Sequence, residues 1–398
     1  MKVWKVGGAV RDALLGRPDS DVDWVVTGAT PDVMRDAGYL PVGRDFPVFL
    51  HPITKQEYAL ARTERKTAPG YHGFVFHADA GVTLEEDLQR RDLTINAMAQ
   101  DESGTVIDPY GGRHDLQARL LRHVSPAFAE DPVRILRVAR FAARFVDFQV
   151  APETQTLMRD MVNAGEVDAL VAERVWQELS RGLMEAQPSR MFDALHGCGA
   201  LARLLPEIDT DWSSGEPEAT RWRQAIDLAA QWRLPLPARF AVVTYRLRGF
   251  EPAANAPTFR SAALSTLCER WHIPTDCREV AELVVRERET LSLGALMDAA
   301  HLVQLFDRCD VWRRPERFEV LLLACECIAR ADGLSAVRGQ AASFARWRAA
   351  LARAAAVDTG AVAARAAAQG LRGPQIGSAV HDARVLAVAE DLNDEIND

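Results

Sequence analysis

The hydrophobic period of the chain changes near residue 127, and that change limits the fold more than any single motif. Before it, short β-type runs (DVDWVV, VFLH, EYALA, TVIDPY) are interspersed with helical segments and Gly and Pro turns, an α+β pattern. After it, DPVRILRVARFAARFV, RVWQELSRGLM, SRMFDALHGCGALARLL and ATRWRQAIDLAAQW all repeat their apolar residues at a period of about 3.6. Pro132, directly after Asp131, suits a first helical turn. The chain is therefore expected to carry a small α+β head on an elongated stalk that is essentially all helix. Breaks are expected at 206–219 and 249–258, both rich in Pro, Gly and acids, and the Ala-rich stretch from Ala349 to Gln369 is a strong helix former.

With 398 residues, 48% of them hydrophobic, the chain has room for two to four cored domains. Its apolar runs stay short of the ~18 residues that a membrane span needs, and MKVWKVGGAVRD has no signal-peptide core, so the expected location is the cytoplasm. The six cysteines form no CxxC pair and are expected to be reduced and buried. A net charge of -9 argues weakly against a nucleic-acid partner but says nothing about local basic stripes.

In DSDVDWVV, Asp21 and Asp23 alternate with Val22, Trp24 and Val26, so a strand would place both carboxylates on one face. Asp19 and Ser20 precede the alternation and suit a turn. Adjacent ionised carboxylates repel unless a cation lies between them, and hard oxygen ligands favour Mg²⁺, which also takes phosphate oxygens. A lone pair of this kind is more often a solvated strand edge. Upstream, however, Gly7-Gly8 lets a backbone approach phosphate closely, with Arg11 on the segment that follows. This arrangement resembles the signature of the polymerase-β-like nucleotidyltransferases, which implies a third carboxylate from a neighbouring strand; Glu57 is the candidate, and an exposed strand glutamate is the alternative.

Two further segments are rich in arginine. In RRDLTINAMA, Asp92 and Asn96 stand four apart, which would place them on one helix face beside Arg91. In EDPVRILRVARFAAR, Arg134, Arg137, Arg140 and Arg144 fall within an arc of roughly 120°. Val138 and Phe145 lie on the opposite, core-facing side. Taken alone, each segment also fits a salt-bridged surface.

Together GGAVRD, DVDWVV, GRDFPVFLHP, EYALARTERK, RRDLTINAMA, IDPYGG, LRHVSPAFAEDPVRILRVARFAARF and ERVWQELS resemble the bacterial class II tRNA nucleotidyltransferases, the CCA-adding enzymes. The likeness runs almost unbroken from residue 1 to about 208 and is patchy beyond. It implies a polymerase-β-like nucleotidyltransferase head over 1–126, a helical neck over 127–208, a body over 209–335 and a tail over 336–398. It also implies addition of C, C and A to tRNA from CTP and ATP, with Mg²⁺, no membrane and no obligate protein partner. By the same resemblance, Asp21 and Asp23 hold the metal, Gly8 and Arg11 the triphosphate, and Arg91, Asp92 and Asn96 the ribose and phosphates. Asp131 and Arg134 would read the base, Glu130 would orient Arg134, and Arg137 and Arg140 would add nucleotide contacts.

Such a reader is chemically sensible. Cytosine and adenine each offer a ring-nitrogen acceptor beside an amino donor, which an arginine and a carboxylate can satisfy, whereas uracil and guanine present the wrong polarity. Residues 62–74, RTERKTAPGYHGF, resemble the family's flexible head loop, needed for the final A, and equally suit a hairpin turn. The sequence departs from the family in the body: Tyr245 and Arg246 occupy the positions of the His-Asp pair that binds metal in relatives with a phosphohydrolase domain. His381-Asp382 in the tail has no partner histidines and is expected to be surface sequence. Arg174, Arg346, Arg348, Arg353 and Arg365 join the arginine stripe as candidate tRNA contacts.

Overall fold

The computed structural model describes residues 1–17, 22–42, 48–66, 74–77, 80–212, 217–247, 250–251, 260–293, 297–333 and 340–397. The first strand, β1 (Lys2–Val6), runs into α1 (Gly8–Leu14), and the chain returns through β2 (Asp23–Thr27). There follow α2 (Pro31–Asp36), β3 (Leu40–Val42), β4 (Val48–Leu50), β5 (Glu57–Leu60), the paired β6 (Thr63–Lys66) and β7 (Phe74–His77), and α3 (Leu84–Gln89). With β8 (Ala99–Gln100) and β9 (Val106–Ile107), seven strands form one sheet in the order β3-β4-β5-β2-β1-β8-β9. Only β2 and β5 pair in parallel; the other neighbours are antiparallel.

The pleat sends alternate residues of β2 to opposite cores. Val25 packs with Val6, Val82, Leu84, Leu88 and Ala97, while Val26 packs with Met34, Phe49, Tyr58 and Leu60. Each such side chain, fully buried, contributes about 1.5–3 kcal/mol. The sheet is therefore covered on both sides at its centre. The open carboxylate face expected for this strand is confined to its first residue, since Asp23 is exposed and Val25, on the same face, is not.

Beyond the sheet, the helical part of this region comprises α4 (Gly112–Ala118), β10 (Leu120–Leu121), α5 (Val133–Arg144), β11 (Gln149–Val150), α6 (Pro152–Asn163), α7 (Ala172–Leu183) and α8 (Ser189–Cys198). β10 and β11 form a short parallel pair that the helical reading of this region did not foresee. Two-residue strands are too short to leave an alternation in the sequence. α5 packs against both α7 and α8, burying Ile135, Leu136, Val138, Ala139 and Ala142.

The chain divides into two compact units, Met1–Thr210 and Asp211–Asp398. In the second, helices Pro217–Gln231, Leu236–Thr244, Thr275–Ser292 and Pro315–Ala331 pack on one another. Trp222 is fully buried there and donates its indole N–H to the carbonyls of Val242 and Val243. Leu291, near the end of Thr275–Ser292, accepts from the Trp347 indole and the Ser343 hydroxyl, which ties that helix to Gln340–Ala355.

Two expected boundaries shift. Pro206–Trp212 is helical where a break was expected, because proline at a helix start lacks only an N–H that has no partner there. The Ala-rich stretch is split: Asp358 accepts from the Ala361 N–H and caps a new helix, Thr359–Ala368. The six cysteines are buried, as expected, and burial pushes the thiols of Cys268, Cys277, Cys309 and Cys327 up to about 12.

Candidate active site

The end of the sheet that holds Asp23 also holds the glycine turn, because register fixes both. Val6, the last residue of β1, pairs with Asp23 in β2 and with Ala99 in β8. Gly7 follows at φ +69° and its N–H bonds to the Met98 carbonyl. That positive φ is what favours glycine at position 7; a Cβ there would also sit 2.8 Å from Arg91 Nη1, the end of a flexible side chain that could shift to make room. Asp23 and the glycine turn thus share one end of the sheet, between its central strands.

Around this end lies a cavity of about 590 Å³ whose lining includes Gly7, Gly8, Arg11, Asp23, Arg91, Asp92, Asn96, Asp131, Arg134, Arg137 and Arg140. Among the described residues nine arginines and four carboxylates line it, an excess of positive charge suited to a polyphosphate. All four arginines of the predicted stripe on α5 face it, with Phe141 among them. The ring of Phe141 lies 4.6 Å from the Arg140 guanidinium carbon.

Hydrogen bonds join the walls in a chain. Arg11 donates to Asn96 Oδ1, Asn96 Nδ2 donates to Asp92 Oδ1 at 2.9 Å, and Arg137 Nε donates to Asp92 Oδ2 at 2.8 Å. Glu178 on α7 then receives Arg140 Nε at 2.6 Å and lies 3.8 Å from Arg137 Nη1. Burial alone would push the Asp92 carboxyl up; the Arg137 charge and the donors from Asn96 and Leu93 outweigh it and hold it well below the usual range. Asp92 in turn raises Arg137. Asp92 and Asn96 do meet as the spacing suggested, but on a 3₁₀ turn, Thr94–Asn96, rather than an α-helix. Leu93 is extended and bridged to His123, which excludes a longer helix there.

The residues expected to read the base both line the cavity, yet each is oriented by other groups. Arg134 donates to the carbonyls of Ala127 at 2.8 Å and Arg90 at 2.6 Å. Asp131 receives both terminal nitrogens of Arg174, at 3.1 and 2.8 Å, and the Val133 N–H at 3.2 Å. Glu130, expected to orient Arg134, ends the 3₁₀ segment Pro126–Glu130 and is not among the lining residues.

Glu57 is also outside the lining, although it begins β5 beside the first residue of β2. Asp21, with Asp19 and Ser20, lies outside the described residues, as does 67–73 of the expected loop, whose flanks β6 and β7 pair antiparallel. Arg174 lines this cavity and pairs with Asp131, and Arg348 is paired with Glu319 and Glu326.

Sequence reasoning assigned no role to Asp12 and Glu178. Both are almost fully buried acids set against arginines. The available signal was charge balance, because so many arginines around one cavity require buried counter-charges.

Residues 3–122 match the family model described as the poly A polymerase head domain, and 147–211 match the probable RNA and SrmB-binding site of polymerase A. The multifunctional CCA protein of Leptothrix cholodnii is 59% identical, over 98% of this chain and 97% of its own. That of Variovorax paradoxus is 54% identical, over 98% and 99%. Among solved structures, the Thermotoga maritima CCA-adding enzyme complexed with tRNA superposes with a TM-score of 0.66 at 21% identity, covering 98% of this chain and 87% of that one. The Bacillus stearothermophilus CCA-adding enzyme in complex with CTP gives 0.65 at 22% identity, covering 98% and 89%.

Proposed function

The chain belongs to the family of CCA-adding tRNA nucleotidyltransferases, and on that premise we propose that it adds C, C and A to the 3′ end of tRNA from CTP and ATP, selecting each base with its own side chains. The observation that carries this reading is one cavity in which the Gly7-Gly8 turn, Asp23, the arginine face of α5 and Asp131 meet.

The roles follow from chemistry and position. Asp23, a hard oxygen donor at the strand end beside the phosphate-facing turn, fits a divalent cation, and Asp21 is its proposed co-ligand. Mg²⁺ held there supplies Lewis acidity at the attacking hydroxyl and the triphosphate. Gly8 and Arg11 receive the triphosphate, and Arg91, with Asp92 and Asn96, takes the ribose and adjoining phosphates. Asp131 accepts from the amino group of cytosine or adenine while Arg134 donates to the ring acceptor, each pre-oriented by its own partners. Arg137 and Arg140, spaced by Glu178, stabilise charge on the phosphates. Glu57 remains the proposed third carboxylate, and a head, neck, body and tail over 1–126, 127–208, 209–335 and 336–398 the proposed division. No helix among the described residues is long and apolar enough to cross a membrane, and we place the activity in the cytoplasm.

We also propose that the second unit has no metal-dependent phosphohydrolase activity. Tyr245 lies under the Arg288 guanidinium, 4.8 Å away, and Arg246 pairs with Asp211, so neither supplies the ligand its position would need. Metal-dependent hydrolysis of 2′,3′-cyclic nucleotides by the pure protein would overturn this.

One assay tests the main reading: tRNA lacking its 3′ end, Mg²⁺, and CTP and ATP singly and together. Complete CCA ends only with both nucleotides support it. Long A tails would indicate a poly(A) polymerase, a stop at CC a partial enzyme, and silence an inactive relative. Replacing Asp21 and Asp23 together by alanine should abolish transfer, and retained transfer would remove the metal assignment.

A further inference from the structure

We infer that Asp12, which lines no part of the cavity, is a positioning residue that fixes the triphosphate arginine and latches the phosphate wall to the base-reading helix. The inference rests on the proposed role of Arg11. Asp12 is 1% exposed and receives Arg11 Nε at 2.8 Å and Nη2 at 2.9 Å, a two-pronged clamp between neighbouring residues of α1. Its Oδ2 also receives Arg144 Nη2, at 3.0 Å, from the last turn of α5. One carboxylate therefore holds two guanidiniums from the two walls.

The geometry leaves Arg11 little freedom. Two of its nitrogens are on Asp12, the third is on Asn96, and its plane lies over Phe145 and Phe141, 5.1 and 5.4 Å from the ring centres. Arg11 and Arg144 repel each other, and the almost fully buried Asp12 carboxylate between them offsets that repulsion. Asn96 is bonded to Asp92, which holds Arg137. A displacement of Arg11 thus passes along the hydrogen-bonded chain to α5. Loss of the Asp12 charge should misplace the triphosphate ligand and loosen base selection together.

The test uses the whole protein, with CTP affinity read by titration calorimetry and CCA addition read on truncated tRNA. Asp12→Asn should weaken CTP binding by about ten-fold, and Arg144→Gln, at a partly exposed side chain, by about three-fold. The double variant should bind CTP no more weakly than Asp12→Asn alone, because without Arg144 there is no repulsion left to offset. A merely structural Asp12 would lower Tm while leaving CTP affinity and the preference for CTP over UTP unchanged in the folded variant, and that result overturns the inference. Fully multiplicative effects in the double variant overturn it too. If Asp12→Asn does not fold, Arg144→Gln alone decides, since unchanged CTP affinity there removes the latch. Failure of the unsubstituted protein to add CCA would instead sink the functional reading.

Discussion

Asp92 shows how much of the site depends on one carboxylate. It receives Arg137, Asn96 and the Leu93 N–H, and its partners hold it ionised well below the ordinary range. A carboxyl whose pKa is depressed on folding adds stability above its unfolded value, roughly 4, and that stability is lost as pH falls further toward the folded value. The unsubstituted protein should therefore lose thermal stability more steeply below about pH 4 than Asp92→Asn, which should be less stable at pH 7 by about 1–3 kcal/mol. Melting curves over pH 3–7 check both; parallel pH profiles for the two proteins would contradict the assignment. At this scale the sequence was only half legible. The arginine face of α5 followed from a 3.6-residue period, and the pairing of Asp92 with Asn96 from spacing. The partners of Arg134 are backbone carbonyls from Ala127 and Arg90, which no side-chain pattern records.

Elements explain why the side chains arrive together. The Thr94–Asn96 turn is pressed against the start of α4, where a Cβ on Gly112 would lie 2.3 Å from the Thr94 carbonyl oxygen. Because that oxygen is backbone, Gly112→Ala must move the turn that presents Asn96, at a cost of about 1–3 kcal/mol. It should raise the KM for CTP as well as lower Tm, and a Tm change with nucleotide KM untouched would show that the turn had absorbed the methyl. β2 was readable as a strand because alternation over 21–24 runs into β-branched residues, whereas burial of Val25 on the Asp23 face depends on α3 arriving from far along the chain. The parallel pair of β10 with β11 and the Asp358 cap are also tertiary or single-residue events. A periodicity window averages both away.

For the whole molecule, a net charge of -9 coexists with a cavity lined by more arginines than acids. Attraction of the nucleotide is therefore local, and the surroundings oppose it. Raising salt should weaken CTP binding, because screening acts across about 10 Å at 0.1 M and nearer 3 Å at 1 M. Titrations across that range check this, and a salt-independent affinity would mean that the arginines are fully neutralised by their own carboxylates. The two compact units divide after Thr210. Every residue lining the cavity falls within Met1–Thr210. A substitution among the described cavity residues can therefore cost chemistry and folding at once, and those positions all lie in the first unit.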